Sequence, residues 1–119
     1  MITTKELVNI ITRGIQEKKG QDIVITDMAG IEGAICQYFI ICQGNSPTQV
    51  DAIADSIEEF TLREASEKPV RVIGRDYSRW VAMDYTDVLV HILIPEMREY
   101  YNLEKLWEDA QLERLPNLD

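Results

Sequence analysis

Between Thr3 and Lys19 the apolar residues Leu7, Val8, Ile11 and Ile15 recur at helical spacing, with Thr3 or Thr4 placed to cap the helix and Gly20 to stop it. The period then changes. Ile23 to Met28 is short and rich in β-branched residues between Asp22 and the Ala29-Gly30 turn, and Cys36 to Cys42 repeats the pattern beyond Glu32-Gly33. Two strands joined by a loop are predicted. In Gly44-Asn45-Ser46-Pro47-Thr48-Gln49, Ser46 suits a cap for the Gln49 amide, Gln49 can reach back, and Pro47 fits the first helical position. The helix that starts here has a predicted buried stripe of Val50, Ile53, Ala54, Ile57, Phe60 and Leu62. Asp51, Asp55, Glu58 and Glu59 face water in this reading, and the helix ends before Pro69.

Beyond Pro69, Val70 to Ile73, Trp80 to Asp84 and Val88 to Ile94 read as three strands. The last is apolar on both faces, which predicts an interior strand covered on two sides. Asp84-Tyr85-Thr86-Asp87 is short enough for a hairpin turn. Pro95-Glu96 opens a carboxy-terminal helical region carrying Met97, Tyr100, Tyr101, Leu103, Leu106 and Trp107, and Pro116 closes anything regular. The order α, β, β, α, β, β, β, α predicts an α/β (α+β) fold, a mixed sheet of about five strands with flanking helices. Without repeats or linkers, residues 1–119 are expected to form a single domain.

Composition narrows the function classes. The 119 residues are 45% hydrophobic, enough for a core without disulfide or metal staples. Acidic side chains outnumber basic ones 21 to 12, and the net charge of −9 opposes binding driven by phosphate neutralisation. Generic nucleic-acid binding is therefore not expected. The amino terminus, Met1-Ile2-Thr3-Thr4-Lys5-Glu6, lacks the continuous apolar stretch of a secretory signal. The longest apolar run, Val88 to Ile94, is interrupted by His91 and falls far short of the roughly 20 residues that span a bilayer. No membrane association and a cytoplasmic location are expected. Cys36 and Cys42, placed on one strand about 20 Å apart, are too distant to bridge and read as reduced core residues.

Candidate chemistry is sparse. The one histidine, His91, lies inside the most apolar strand, where a general base has no water path, so it reads as structural. With no second His and no close pair of Cys ligands, neither a metal nor a cofactor is expected. Gly44-Asn45-Ser46 resembles the Gly-Ser turn of nucleotidyltransferases, where backbone amides hold a phosphate. Those enzymes need carboxylates for two Mg²⁺ ions, commonly an Asp-x-Asp pair, and this chain contains none. The turn reads as a helix cap, and Asp51 with Asp55 as a solvated helix face. Asp84 and Asp87 flank a turn whose formation explains their type. Trp80, beside the polar run Arg75-Asp76-Tyr77-Ser78-Arg79, and Trp107, among Glu104, Lys105, Glu108 and Asp109, either cover core or anchor an interface.

Four blocks are more specific: Lys19-Gly20-Gln21-Asp22-Ile23; Tyr38-Phe39-Ile40-Ile41-Cys42 with Gly44-Asn45-Ser46; Trp80 to His91; and Arg98 to Trp107. A tryptophan strand, an Asp-aromatic-x-Asp turn, a Val-His strand and then a Tyr-x-Leu-Glu-x-Leu-Trp segment resemble the ribosomal silencing factor family, RsfS, also called Iojap, from about Leu7 to Ala110. The resemblance implies a nucleotidyltransferase-like fold without its catalytic carboxylates. It also implies a non-enzymatic repressor of translation that binds the large ribosomal subunit through its protein number fourteen, at the subunit interface. Occupying that site blocks joining with the small subunit when nutrients are scarce. Gln37 and Ile73 stand where the family often has carboxylates. Trp80, Ala82 and Asp84 alternate onto one strand face with Tyr85 continuing toward the turn, and the expected partner contact comprises these four with Asp87 and Arg75. Trp107 matches a family position whose helix is expected to pack on the sheet. Two alternatives stand beside this reading. One is a small nucleotide-binding or nucleotidyl-transferring enzyme that uses the Gly44 to Ser46 turn. The other is an adaptor that forms a homodimer through its aromatic face.

Overall fold

A computed structural model of the chain describes residues 2–103, 105 and 110–118. Helix α1 (Thr4–Glu17) begins where the Thr3 hydroxyl accepts the Glu6 amide at 3.1 Å, so Thr3 rather than Thr4 is the cap. Its stop comes one residue before the glycine: Lys19 takes the left-handed conformation at φ 59°, and the Gly20 amide donates back to the Ile15 carbonyl. Strand β1 (Gln21–Asp27) and β2 (Tyr38–Gln43) pair antiparallel, joined by the 28–37 loop. Cys36 lies in that loop and is half-buried, so it does not share the strand that buries Cys42.

Helix α2 (Pro47–Ala65) follows the cap seen in the sequence, the Ser46 hydroxyl accepting the Gln49 amide at 3.1 Å. Gln49 then does more than close its own turn. Its Oε1 accepts the Asn45 amide at 2.7 Å, while its Nε2 donates to the carbonyls of Lys18 and Lys19 and ties the start of α2 to the end of α1. Val50, Ile53, Ala54 and Ile57 are buried as predicted, but Thr61 takes the next core position and Leu62 is 50% exposed. Spacing explains the correction: Thr61 is four residues beyond Ile57, whereas Leu62 falls on the flank of the stripe. Phe60, partly exposed, lies under the Arg63 guanidinium at 4.7 Å.

The helices pack on each other through a close approach at Gly14. A Cβ there would sit 3.1 Å from the Ile57 backbone, and the Ser56 hydroxyl donates to the Gly14 carbonyl at 2.8 Å. Arg13 and Glu64 pair across the same contact.

Strands β3 (Arg71–Ile73), β4 (Trp80–Asp84) and β5 (Val88–Leu93) form an antiparallel meander, and β5 returns parallel to β2. That parallel neighbour needs a long crossover, supplied by α2, β3 and β4. Helix α3 (Pro95–Tyr101) stops at Asn102, left-handed at φ 46°, well short of the long carboxy-terminal helix expected. The expected helical positions Leu106 and Trp107 lie outside the described residues.

A sixth strand, β6 (Gln111–Arg114), then pairs antiparallel with β1, giving the order β3-β4-β5-β2-β1-β6. The expectation of about five strands missed it for a physical reason. All four of its residues are exposed, and only Leu112 is apolar, so no alternation marks it. A charged edge strand is held by backbone hydrogen bonds instead.

The sheet has two unlike faces. Ile23, Ile25, Ile40, Cys42, Val81, Met83, Val88, Val90 and Ile92 pack against α1 and α2 in the main core. On the other face Phe39, Ile41, Leu93 and Met28 form a smaller cluster, joined by the partly buried Trp80, Leu89, Met97 and Leu103. Strand β5 is interior and apolar toward both, as its sequence predicted.

Candidate functional site

The β4–β5 register sets Trp80 opposite Leu93, Ala82 opposite His91 and Asp84 opposite Leu89. Alternation places all six on the sheet face away from α1 and α2. The Ala82 methyl leaves space beside His91, and the indole of Trp80 reaches across the diagonal to fill it. Trp80 Nε1 donates to His91 Nδ1 at 2.7 Å. The two ring centroids lie 5.7 Å apart.

Further rings extend this pair in both directions. Phe39 stands 4.8 Å from His91, Tyr101 stands 4.7 Å from Trp80, and Tyr100 meets Tyr101 edge-on at 5.0 Å. Exposure rises along the row from 4% at Phe39 to 48% at Tyr101 and 81% at Tyr100. The row therefore runs from the sheet interior to solvent. Burial alone pushes the His91 imidazole down to about 4, so at neutral pH it is uncharged and its Nδ1 is able to accept the hydrogen bond from the indole N–H.

Beside the indole lies a groove of about 570 Å³ lined by Gly74, Tyr77, Arg79, Trp80 and Met97. Its floor depends on Gly74. That residue holds φ at 96°, and a Cβ there would collide with the Trp80 carbonyl, so the loop passes directly over the start of β4. Tyr77, at the loop tip, is 83% exposed.

Arg75 is the anchor of that loop. Its Nε donates to Asp51 Oδ1 at 2.6 Å and a terminal nitrogen donates to Asp55 Oδ1 at 2.7 Å. Asp51 and Asp55 are thus clamps on the loop, which corrects their reading as a merely solvated face. The hydrogen bond from Arg75 holds the Asp51 carboxyl below the ordinary carboxylate range.

The other expected contact residues separate. Asp84 is partly buried and its Oδ1 accepts the Thr86 amide at 2.7 Å, stabilising the hairpin turn. Asp87 is exposed in that turn, its carbonyl accepting the Gln37 and Tyr38 amides. Tyr85 is only 5% exposed and its hydroxyl lies 2.9 Å from that of Thr61, with burial pushing its pKa up to about 12. The structure therefore turns Tyr85 into the main core, and its side chain offers almost nothing to a partner. The cause is parity, since Tyr85 lies an odd number of residues from Trp80 and Ala82.

Tyr77, Met97, Tyr100 and Tyr101 were absent from the expected contact set, and His91 was read only as structural. Adjacent tyrosines gave one signal: two consecutive helical residues point about 100° apart and cannot both face the sheet. Tyr77 had none, because its place depends on how the loop folds over β4.

In the Gly44 to Ser46 turn the first two amides are already engaged within the protein, as is the Gln49 amide beyond it. The Gly44 amide donates to the Leu93 carbonyl, the Asn45 amide to Gln49, and the Gln49 amide to Ser46. Among the described residues no three His, Cys, Asp or Glu side chains gather to hold a metal ion, and no helix is long and apolar enough to cross a membrane.

Fold and face together define an α+β protein with an open mixed sheet, one side sealed by two helices and the other bearing an aromatic row that emerges beside a groove. Residues 1–119 match the family described as ribosomal silencing factor during starvation, and the chain belongs to that family. It is 42% identical over 111 residues to the ribosomal silencing factor RsfS of Bacillus subtilis, covering 91% of this chain and 90% of that one. A crystal structure of a Chromobacterium violaceum protein superposes with a TM-score of 0.84 at 32% identity, covering 90% and 88% of the two chains. A more distant mouse relative, named mitochondrial assembly of ribosomal large subunit protein 1, is 26% identical over 102 residues, covering 84% of this chain and 44% of that one.

Proposed function

We propose that this protein is a non-enzymatic repressor of translation, acting in the cytoplasm as one domain. It binds the large ribosomal subunit through its protein number fourteen and sterically blocks joining with the small subunit under nutrient limitation. Family membership and the mouse relative's name support the large subunit as partner. One observation carries the choice of surface: Trp80 is held partly buried at a groove while aromatic neighbours stand exposed around it.

Trp80 and Ala82 form the centre of the contact, the Arg75 loop flanks it, and Asp84 and Asp87 lie toward the far end of the hairpin. A desolvated aromatic anchor ringed by polar groups contributes most of the affinity of such an interface. The net charge of −9 repels RNA in general, so attraction comes from a basic protein surface standing clear of it. Charge then enforces specificity.

The test is co-sedimentation with separated large and small subunits, followed by a subunit-joining assay. Wild type should bind the large subunit selectively and block joining. Trp80→Ala should lose about 2 to 4 kcal/mol of binding while its circular dichroism stays that of a folded protein. Failure of wild type to bind either subunit would overturn the reading. Self-association that disappears in Trp80→Ala, without subunit binding, would assign the face to a homodimer.

A further inference from the structure

We propose that His91 is a positioning residue for the docking surface: its Nδ1 holds the Trp80 indole in the orientation that a partner meets. The inference rests on the reading of Trp80 as the anchor and adds how that anchor is set.

Three observations carry it. First, Trp80 Nε1 to His91 Nδ1, at 2.7 Å, is a side-chain hydrogen bond between diagonal neighbours on paired strands, made possible by the small Ala82 between them. Second, His91 is polar in a strand otherwise composed of Val, Leu and Ile. Packing alone would be served by another aliphatic residue, without the cost of desolvating an imidazole. What imidazole adds is an acceptor. Third, His91 is itself fixed from behind, with Phe39 at 4.8 Å, so the acceptor is aimed by a buried ring rather than by a mobile one.

The chemistry sets the tautomer. A nitrogen that accepts from the indole carries no proton, so neutral His91 holds its proton on Nε2. The indole has one polar atom, and that atom is turned inward to His91. All that remains for a partner is carbon, a surface suited to an apolar pocket and needing no hydrogen-bond donor or acceptor opposite it. A free indole rotates and must be ordered on binding; one held in place has already lost that freedom.

The experiment records the indole N–H resonances of ¹⁵N-labelled wild type, with Trp80 assigned by its loss in Trp80→Phe, and measures large-subunit binding alongside. His91→Leu removes the acceptor. His91→Asn puts Oδ1 close to the position of Nδ1 and keeps it; His91→Gln, polar but reaching elsewhere, serves if the Leu variant does not fold.

In wild type the Trp80 indole proton should lie downfield and exchange slowly with solvent. In His91→Leu it should move upfield and exchange fast, with binding weaker by about tenfold. His91→Asn should restore both. A fast-exchanging indole in wild type overturns the proposal without any variant, as does an unmoved resonance in His91→Leu. If Trp80→Ala loses binding while His91→Leu keeps it, the role of His91 fails alone. If Trp80→Ala binds like wild type, the docking surface itself is misplaced and the role falls with it.

Discussion

The two faces of the sheet solve different problems with the same strands. Against α1 and α2 the contacts are mainly aliphatic, and Val88, Val90 and Ile92 of β5 have no exposed surface at all. On the other side of the same strand Leu89 and His91 are only partly buried, although Leu93 is fully buried, and the cluster around them mixes rings, sulfur and an imidazole. The closed face has every reason to be rigid, since its packing supplies most of the folding energy. The open face is where a specific hydrogen bond, Trp80 to His91, takes over from volume filling. In the proposed reading, stability and recognition are thus separated by the thickness of one sheet.

Breaking the closed face should have the largest effect on stability. Ile53→Ala, at a position with no exposure, should cost about 2 to 5 kcal/mol in chemical denaturation and leave binding by the folded fraction unchanged. Trp80→Ala should show the reverse pattern, binding lost and fold kept. If both variants lost stability and binding together, the separation of roles would be wrong.

Next in size is the response to acid. His91 is held at about 4 in the folded protein against an ordinary 6.5, so between these values the unfolded chain takes up a proton that the folded one refuses. The contribution is whole above pH 6.5 and shrinks as the pH falls toward 4, by at most about 3 kcal/mol. Carboxylates titrate in the lower part of the same range. The clean readout is therefore the difference in unfolding free energy between wild type and His91→Asn across pH 7 to 4, which should narrow or reverse as the pH falls.

Two smaller effects sharpen the comparison at its margins. Ser46→Ala removes the cap of α2 and should cost about 1 kcal/mol by thermal denaturation. Arg75→Gln removes a pairing to two carboxylates that are themselves largely exposed, and should cost less than about 1 kcal/mol of stability. Its effect should appear instead in the Tyr77 loop, as faster amide exchange over Asp76 to Arg79.

Elements that bury a stripe were legible. Leu7, Val8, Ile11 and Ile15 on α1, and the Ser46-Pro47 start of α2, were read directly because periodicity and caps are local. So was the two-sided burial of β5. The candidate site was legible in part: Trp80 and Ala82 share a face because alternation requires it, and the same rule, followed one residue further, turns Tyr85 into the core. Strand β6 was illegible because Gln111-Leu112-Glu113-Arg114 is held through its backbone and carries no hydrophobic signature. Thr61 sits on the buried stripe four residues beyond Ile57, but its polar side chain gives no apolar signal, and the Tyr85 hydroxyl that it meets at 2.9 Å is remote in the chain.

By itself, then, the sequence determined which segments form α1, α2 and β1 to β5, most of the apolar stripe of each, and a family likeness concentrated in the Trp80 to His91 segment. Those properties depend on spacing over a few residues and on backbone preference. Tertiary structure alone decided that an indole and an imidazole eleven residues apart meet at 2.7 Å, that Tyr101 returns to pack on the indole, and that Arg75 clamps its loop to α2. Strand register and chain crossing bring such groups together, and neither is written in any single stretch of residues.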